Sequence, residues 1–248
     1  MLSVIIITKN EEKNIEDCLN SVQFADEIIV VDNHSDDNTV NLCQKFTDKI
    51  KVTDDWPGFG PQKQRALDMA SGEWVLSIDA DERITESLQK EILKAINSDS
   101  IDAFNIPRQS MFCGRWIKHS GWTPDYVLRL FKREHARFSD DLVHEKIIVN
   151  SNKISNLFYP LMHYSYENME EVLIKMNQYS SANAEKSFNN GKSSSLSKAI
   201  LHGFWAFIRT YIIRAGILDG REGFILAVYN AETSYYRYIK LMYLNEKH

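Results

Sequence analysis

Residues 2–7 are apolar apart from Ser3 and mostly β-branched, and a polar run, Thr8-Lys9-Asn10-Glu11, follows at once. That pattern predicts a strand buried on both faces, ending abruptly at a solvated loop. Ile15, Cys18, Leu19 and Val22 then recur at helical spacing. A second strand, residues 27–31, stops at Asp32-Asn33-His34-Ser35-Asp36-Asp37. A helical pattern over 38–46 and a short strand over 49–53 come next. After the breaker Ser71-Gly72, residues 74–78 form another apolar run and end at Asp79-Ala80-Asp81-Glu82. Strands alternating with helices over short connections predict an α/β fold with a mostly parallel sheet. Three successive strand ends carry polar clusters, and open α/β sheets bind ligands at that rim. Asp79 and Asp81, one residue apart at a strand end, suit Mg²⁺ or Mn²⁺ with substrate phosphates; a solvated acidic turn or a helix cap is the plain alternative.

Downstream, residues 103–107 predict a further strand. Residues 108–118 carry the aromatic Phe112 and Trp116, and Gly121-Trp-Thr-Pro-Asp-Tyr-Val-Leu-Arg-Leu-Phe131 and Leu142-Val-His-Glu-Lys146 follow. An apolar stretch at 157–162 precedes His163, and helical patterns cover 168–190, closed by Gly191, and 198–218. Projected at about 100° per residue, Leu201, Phe204, Trp205, Phe207, Ile208, Tyr211 and Ile212 fill one arc of the last pattern, with Lys198, His202 and Arg209 opposite. Two arginines in that span argue against a transmembrane helix. The arc fits an interfacial helix on an anionic membrane, and equally a helix packed on the catalytic domain or a second subunit.

The 248 residues suffice for one core domain with an appendage, and 44% hydrophobic content without repeats predicts a globular chain. Cys18, Cys43 and Cys113 are widely spaced and odd in number, which argues against zinc and a disulfide framework. A net charge of −5 carries no nucleic-acid signal. Charge is uneven, since residues 198–248 hold seven Lys/Arg against four Asp/Glu. No signal peptide is evident at the N-terminus.

Val4-Ile-Ile-Ile-Thr-Lys-Asn-Glu11, Ile28-Ile-Val-Val-Asp-Asn-His-Ser-Asp36, Gln62-Lys-Gln-Arg-Ala-Leu-Asp-Met-Ala-Ser-Gly-Glu-Trp74 and Leu76-Ser-Ile-Asp-Ala-Asp-Glu82 together resemble the family 2 glycosyltransferases. The later segments, including Leu218-Asp-Gly-Arg-Glu-Gly-Phe224, resemble the subgroup of lipopolysaccharide inner-core β-glucosyltransferases. The resemblance implies a GT-A fold, a Rossmann-like, mostly parallel sheet flanked by helices, with a helical C-terminal extension. It implies a catalytic domain over residues 1–165, divided near residue 100 into nucleotide-sugar and acceptor halves, and a helical region over 166–248 that associates with a membrane or a partner. Carried over, Thr8, Asn10, Glu11, Asp32 and Asn33 contact uracil and ribose, although many relatives carry Asp where this chain has Asn33. Arg65 is a further diphosphate or ribose contact, with Gln64 weaker. Asp79 and Asp81 hold the divalent cation, Mg²⁺ or Mn²⁺, on the donor diphosphate, with His163 as a further ligand or a packing residue.

Family members that invert the anomeric centre use one displacement with a carboxylate base. Glu145 is the first candidate and Asp125 the second, while Trp122, Arg129 and His144 are candidate acceptor contacts. The implied reaction moves a sugar, glucose favoured, from a UDP-sugar to a lipopolysaccharide-core or other glycolipid acceptor. The implied location is cytoplasmic, peripheral on the cytoplasmic face of a bacterial inner membrane, and the tyrosine-rich C-terminus leaves a homodimer open. Transfer to a polyprenyl phosphate and a non-catalytic sugar-nucleotide-binding protein are the alternatives. A nucleotidyltransferase is disfavoured, because no glycine precedes Gly58.

Overall fold

The β-branched runs form four parallel neighbours in a computed structural model that describes residues 1–98, 100–139 and 145–246. They are β1 (Leu2–Thr8), β2 (Glu27–Asp32), β3 (Ile50–Val52) and β4 (Trp74–Asp79), lying in the order β3-β2-β1-β4. They alternate with α1 (Ile15–Ser21), α2 (Thr39–Cys43) and α3 (Phe59–Met69). Alternate residues of β1, β2 and β4 enter two different cores. Val4, Ile6, Val30 and Leu76 pack with Ile15 and Leu19, whereas Ile5, Ile29, Val31 and Val75 pack with Ala66 and Leu67. Burial on both faces explains why the strands are apolar throughout rather than alternating.

Past β4, β5 (Glu82–Arg83) leads into α4 (Glu86–Ala95), a helix the sequence reading passed over. Its start signal is Thr85, whose hydroxyl accepts from the Leu88 N–H at 3.3 Å, and its buried stripe is Leu88 and Ile92. The rest of the sheet is antiparallel or mixed. It comprises β6 (Ala103–Phe112), β7 (Arg115–Trp116), β8 (Asp125–Lys132), β11 (Ile154–Asn156) and β12 (Leu161–Tyr166), while β9 (Ala136–Phe138) and β10 (Ile147–Val149) form a separate antiparallel pair. β8 lies between β4 and β6, antiparallel to both. β5 pairs with β12, setting Glu82 opposite His163.

The chain divides into two units, residues 1–108 with 125–163, and residues 109–124 with 164–248. Residues 109–124, read from sequence as part of the acceptor half, thus group with the C-terminal helices. In that second unit α5 (Met169–Asn189) and α6 (Leu196–Ile208) both pack on α7 (Gly220–Glu246). The helical pattern expected over 198–218 is not one helix. α6 widens into a π-helical turn at Arg209–Ile213, the chain takes a left-handed step at Ala215 (φ 53°), and a 3-10 turn at Gly216–Asp219 follows. Phe112, Ile117, Tyr166, Val172, Leu226 and Tyr229 form the unit's own core.

All three cysteines are free thiols. Burial pushes the Cys18 thiol far above its usual range and Cys43 up to about 12, so both are inert packing groups.

Candidate active site

The parallel register places three strand ends in one row, with Thr8 beside Asp32 and Ile7 beside Asp79. The Asp32 carboxylate accepts from the Ser35 N–H at 2.8 Å and the Ser35 hydroxyl at 2.5 Å, which fixes the loop after β2. Asn10 is left-handed (φ 55°) and clasps that loop. Its side-chain oxygen accepts from Asp36 N–H at 3.0 Å and its own N–H donates to the Ser35 hydroxyl at 2.8 Å. Glu11 accepts from the Asn14 side chain at 2.9 Å, and its N–H donates to Thr39 at 2.8 Å. Thr8 Oγ1 and Asn33 Oδ1 are buried with no hydrogen-bond partner among the described residues. Each such atom costs about 1–3 kcal/mol unless something binds it, so the pair makes this rim a candidate ligand seat. Arg65 is held by Asp55 in a two-point pair at 2.8 and 2.6 Å, and Gln64 accepts from the Phe138 N–H at 2.9 Å.

Beside this rim sits a buried network of charge. α3 inserts Lys63, only 4% exposed in its side chain, between two carboxylates, Asp79 Oδ1 at 2.8 Å and Glu145 Oε1 at 2.7 Å. From β8, Arg129 pairs with the second Asp79 oxygen and reaches Glu82 Oε1 at 2.8 Å. Glu82 is wholly buried, and its other oxygen accepts from the Asp79 N–H at 2.9 Å. Burial opposes ionisation of Asp79, yet Arg129 and Lys63 hold its carboxyl well below the usual carboxylate range. Burial pushes Glu82 above its usual range against the pull of Arg129. Both oxygens of Asp79 therefore face cationic side chains. Arg129, read from sequence as an acceptor contact, spends its Nη2 on these two carboxylates, while its Nε is buried with no hydrogen-bond partner among the described residues.

Asp81 stands apart from that network and faces His163 across the β5–β12 pair, with Oδ2 and Nε2 3.2 Å apart. Two adjacent ligands of an octahedral Mg²⁺ or Mn²⁺ lie about 3 Å apart, so an oxygen and an imidazole nitrogen so placed suit a cation that takes the rest of its shell from phosphates and water. Among the described residues no three His, Cys, Asp or Glu side chains converge as a metal cluster. The donor set is thus a pair that a substrate would have to complete. Asp125 lies 2.7 and 2.9 Å from Arg108 at the start of β8. Trp122 belongs to the second unit, stacked on Tyr166 at 6.0 Å and edge-on to Phe112 at 5.9 Å. His144 lies outside the described residues.

Sequence reasoning missed Lys63, Glu82 and Arg108 as site groups. Lys63 did carry a signal: it occupies the helical stripe that continues to Ala66 and Leu67, where a lysine belongs only if a buried anion awaits it.

The family model described as "Glycosyl transferase family 2" matches residues 3–151. A protein of Rickettsia typhi named an uncharacterized glycosyltransferase is 32% identical over 99% of this chain and 88% of its own. The lipopolysaccharide core biosynthesis glycosyltransferase LpsC of Rhizobium meliloti is 33% identical over 93% of this chain and 87% of its own. Among solved structures, that of S. aureus TarS in complex with UDP superposes with a TM-score of 0.52 at 21% identity, over 99% of this chain and 91% of that one. With a family match over more than half its length and relatives above 30% identity over nearly all of it, the chain belongs to glycosyl transferase family 2 and is a glycosyltransferase of GT-A fold.

Proposed function

We propose that the protein transfers a sugar, glucose favoured, from a UDP-sugar to a lipopolysaccharide-core or other glycolipid acceptor with inversion, at the cytoplasmic face of a bacterial inner membrane. The observation that carries this reading is the bridge from Asp79 through Lys63 to Glu145, which ties the candidate base to the strand-end rim. The unpartnered Thr8 and Asn33 oxygens support a nucleoside seat on the same rim, with Asn10, Glu11 and Asp32 shaping its loops. The names of the Rhizobium relative and of the S. aureus protein solved with UDP support the donor and acceptor classes.

In this reading the acceptor hydroxyl gives its proton to the Glu145 carboxylate while its oxygen bonds the anomeric carbon. The bond from that carbon to the diphosphate oxygen breaks, and its electron pair leaves with UDP. Lys63 orients Glu145 through the 2.7 Å pair, and Arg129 fixes Asp79 behind the rim. Asp81 and His163 are the residues proposed to hold a divalent cation, which when bound offsets the charge of the departing diphosphate. Asp125, paired with Arg108, orients the acceptor. The test is Glu145→Gln, which keeps shape but cannot take the proton. Transfer should fall roughly 10²–10⁴-fold while calorimetric UDP binding is retained. A dead Asp125→Asn beside a mildly impaired Glu145→Gln would exchange the two roles.

A further inference from the structure

We propose that the outward face of α6 and the turn that follows it is a docking face for an anionic lipid bilayer, lying in the plane of the headgroups. The helix is turned opposite to the usual arrangement. Its small residues Ala199, Gly203, Ala206 and Thr210 are buried, and a Cβ on Gly203 would meet the Ala231 carbonyl oxygen and Tyr235 Cβ at 3.2 Å, both on α7. Close approach to α7 therefore uses up the small residues; Phe207 and Tyr211 turn onto Phe224 of α7, and the remaining large side chains stay outside. Ile200, Leu201, Phe204, Trp205, Ile212 and Ile213 are each between 52% and 67% exposed. Contiguous large apolar side chains on this scale mark an interaction surface rather than ordinary solvent contact.

The charge around that face selects the occupant. Between residues 192 and 221 the chain carries Lys192, Lys198, Arg209, Arg214 and Arg221, and its one acid is Asp219. Asp219 is 2% exposed and is consumed inside the second unit, accepting from the Lys118 and His119 N–H groups and the Ser120 hydroxyl at 3.0, 3.1 and 2.7 Å. Lys198 and Arg209, seven residues before and four after Trp205, project beside it at the border of the apolar strip rather than opposite the arc as read from sequence, and both are exposed. An apolar strip edged by cations, with no exposed acid in the segment, is complementary to acyl chains beneath anionic headgroups. A second copy would bring like charges together. Trp205 and Phe204 are side chains suited to the interfacial layer. Among the described residues no helix is long and apolar enough to cross a membrane, so the association is in-plane.

The inference deepens the glycolipid reading and rests on it for its purpose, but its test needs no turnover. The parent protein should sediment with phosphatidylglycerol/phosphatidylethanolamine vesicles and at least ~10-fold less with phosphatidylcholine vesicles, and about 0.5 M salt should weaken the binding. Phe204→Ser with Trp205→Ser should weaken it by roughly 100-fold, and Lys198→Glu with Arg209→Glu by roughly 10-fold or more, with thermal midpoints unchanged. Transfer to a water-soluble, deacylated acceptor should be unaffected in both variants, which separates this inference from the catalytic one. It is overturned if the parent ignores anionic vesicles, or if neither double variant changes binding. It is equally overturned if ultracentrifugation shows a parent dimer that Phe204→Ser with Trp205→Ser dissolves.

Discussion

Lys63 is the residue on which the site's electrostatics turn. Its ammonium lies within 2.8 Å of both Asp79 and Glu145 and is almost fully withdrawn from water. Lys63→Met preserves the bulk and removes the charge, leaving Asp79 with Arg129 alone and Glu145 without its cation. Breaking one arm of a buried ion network costs about 3 kcal/mol, and urea unfolding should register a loss of that order. Turnover should fall further than stability does, since Glu145 also loses its positioning group. If Lys63→Met is as active as the parent, the bridge has no part in transfer. Asp81 should behave differently, because it faces His163 and not the Lys63–Arg129 network. Asp81→Asn keeps the shape and a partner for the part-buried His163, and should therefore lower stability by no more than about 1 kcal/mol. The same variant should abolish the strengthening of UDP binding by Mn²⁺. Calorimetry with and without the metal checks both halves, and an unchanged Mn²⁺ effect would take the cation away from Asp81.

At the scale of elements, the strands were legible and the C-terminal helices were legible only in part. Apolar runs ending in polar clusters identify β1, β2 and β4, because a strand buried on both faces admits almost nothing else. α4 went unread although Thr85, Leu88 and Ile92 spell a cap and a stripe, since its exposed Lys and Glu positions dilute the pattern. The arc of large apolar residues on α6 was legible, but sequence left its occupant open, and the structure splits it: Phe207 and Tyr211 pack on Phe224 of α7 while Leu201, Phe204, Trp205 and Ile212 are exposed. Periodicity reports that a helix has two sides, and it takes the small residues opposite to show which side is buried. The segment Leu218-Asp-Gly-Arg-Glu-Gly-Phe224 shows why the expected single helix breaks. Asp219 ties down residues 118–120, Gly220 takes φ 66°, and Gly223 sits with its Cα against the Gly216 carbonyl. A Cβ on Gly223 would lie 2.0 Å from that oxygen, so Gly223→Ala must move backbone and should lower stability by more than the roughly 1–3 kcal/mol typical of overpacking. Gly203→Val meets its neighbours at 3.2 Å and should fall within that range. Thermal unfolding of the two variants ranks them, and an inverted order would mean that α6 and α7 separate less easily than the 216–223 turn deforms.

For the molecule as a whole, the rim that carries the chemistry and the opposite edge of the parallel sheet call for different groups, and at the opposite edge one carboxylate contributes to the dependence of stability on acid. There Glu27, at the start of β2, is buried and takes hydrogen bonds from Lys49, Ser3 and both the N–H and hydroxyl of Ser71, the last two at 2.9 Å. Ser3 accepts in turn from the Gly72 N–H at 2.8 Å, so one carboxylate ties β1, β2 and the turn before β4 together. None of this was legible in sequence, where Glu27 reads as the polar first residue of a strand and its partners lie up to 44 positions away. Burial alone would raise its pKa, but the hydrogen bonds outweigh burial and bring it from 4.5 to about 2. Because the folded value lies below the unfolded one, the contribution is present in full above about pH 4.5 and is lost as pH falls toward 2. A shift of that size corresponds to about 3 kcal/mol. Glu27→Gln should therefore cost about 3 kcal/mol at neutral pH and flatten the dependence of stability on pH over that acid window. Urea unfolding at a series of pH values measures the slope. A variant whose stability falls with acid as steeply as the parent's would assign the acid dependence to other carboxylates.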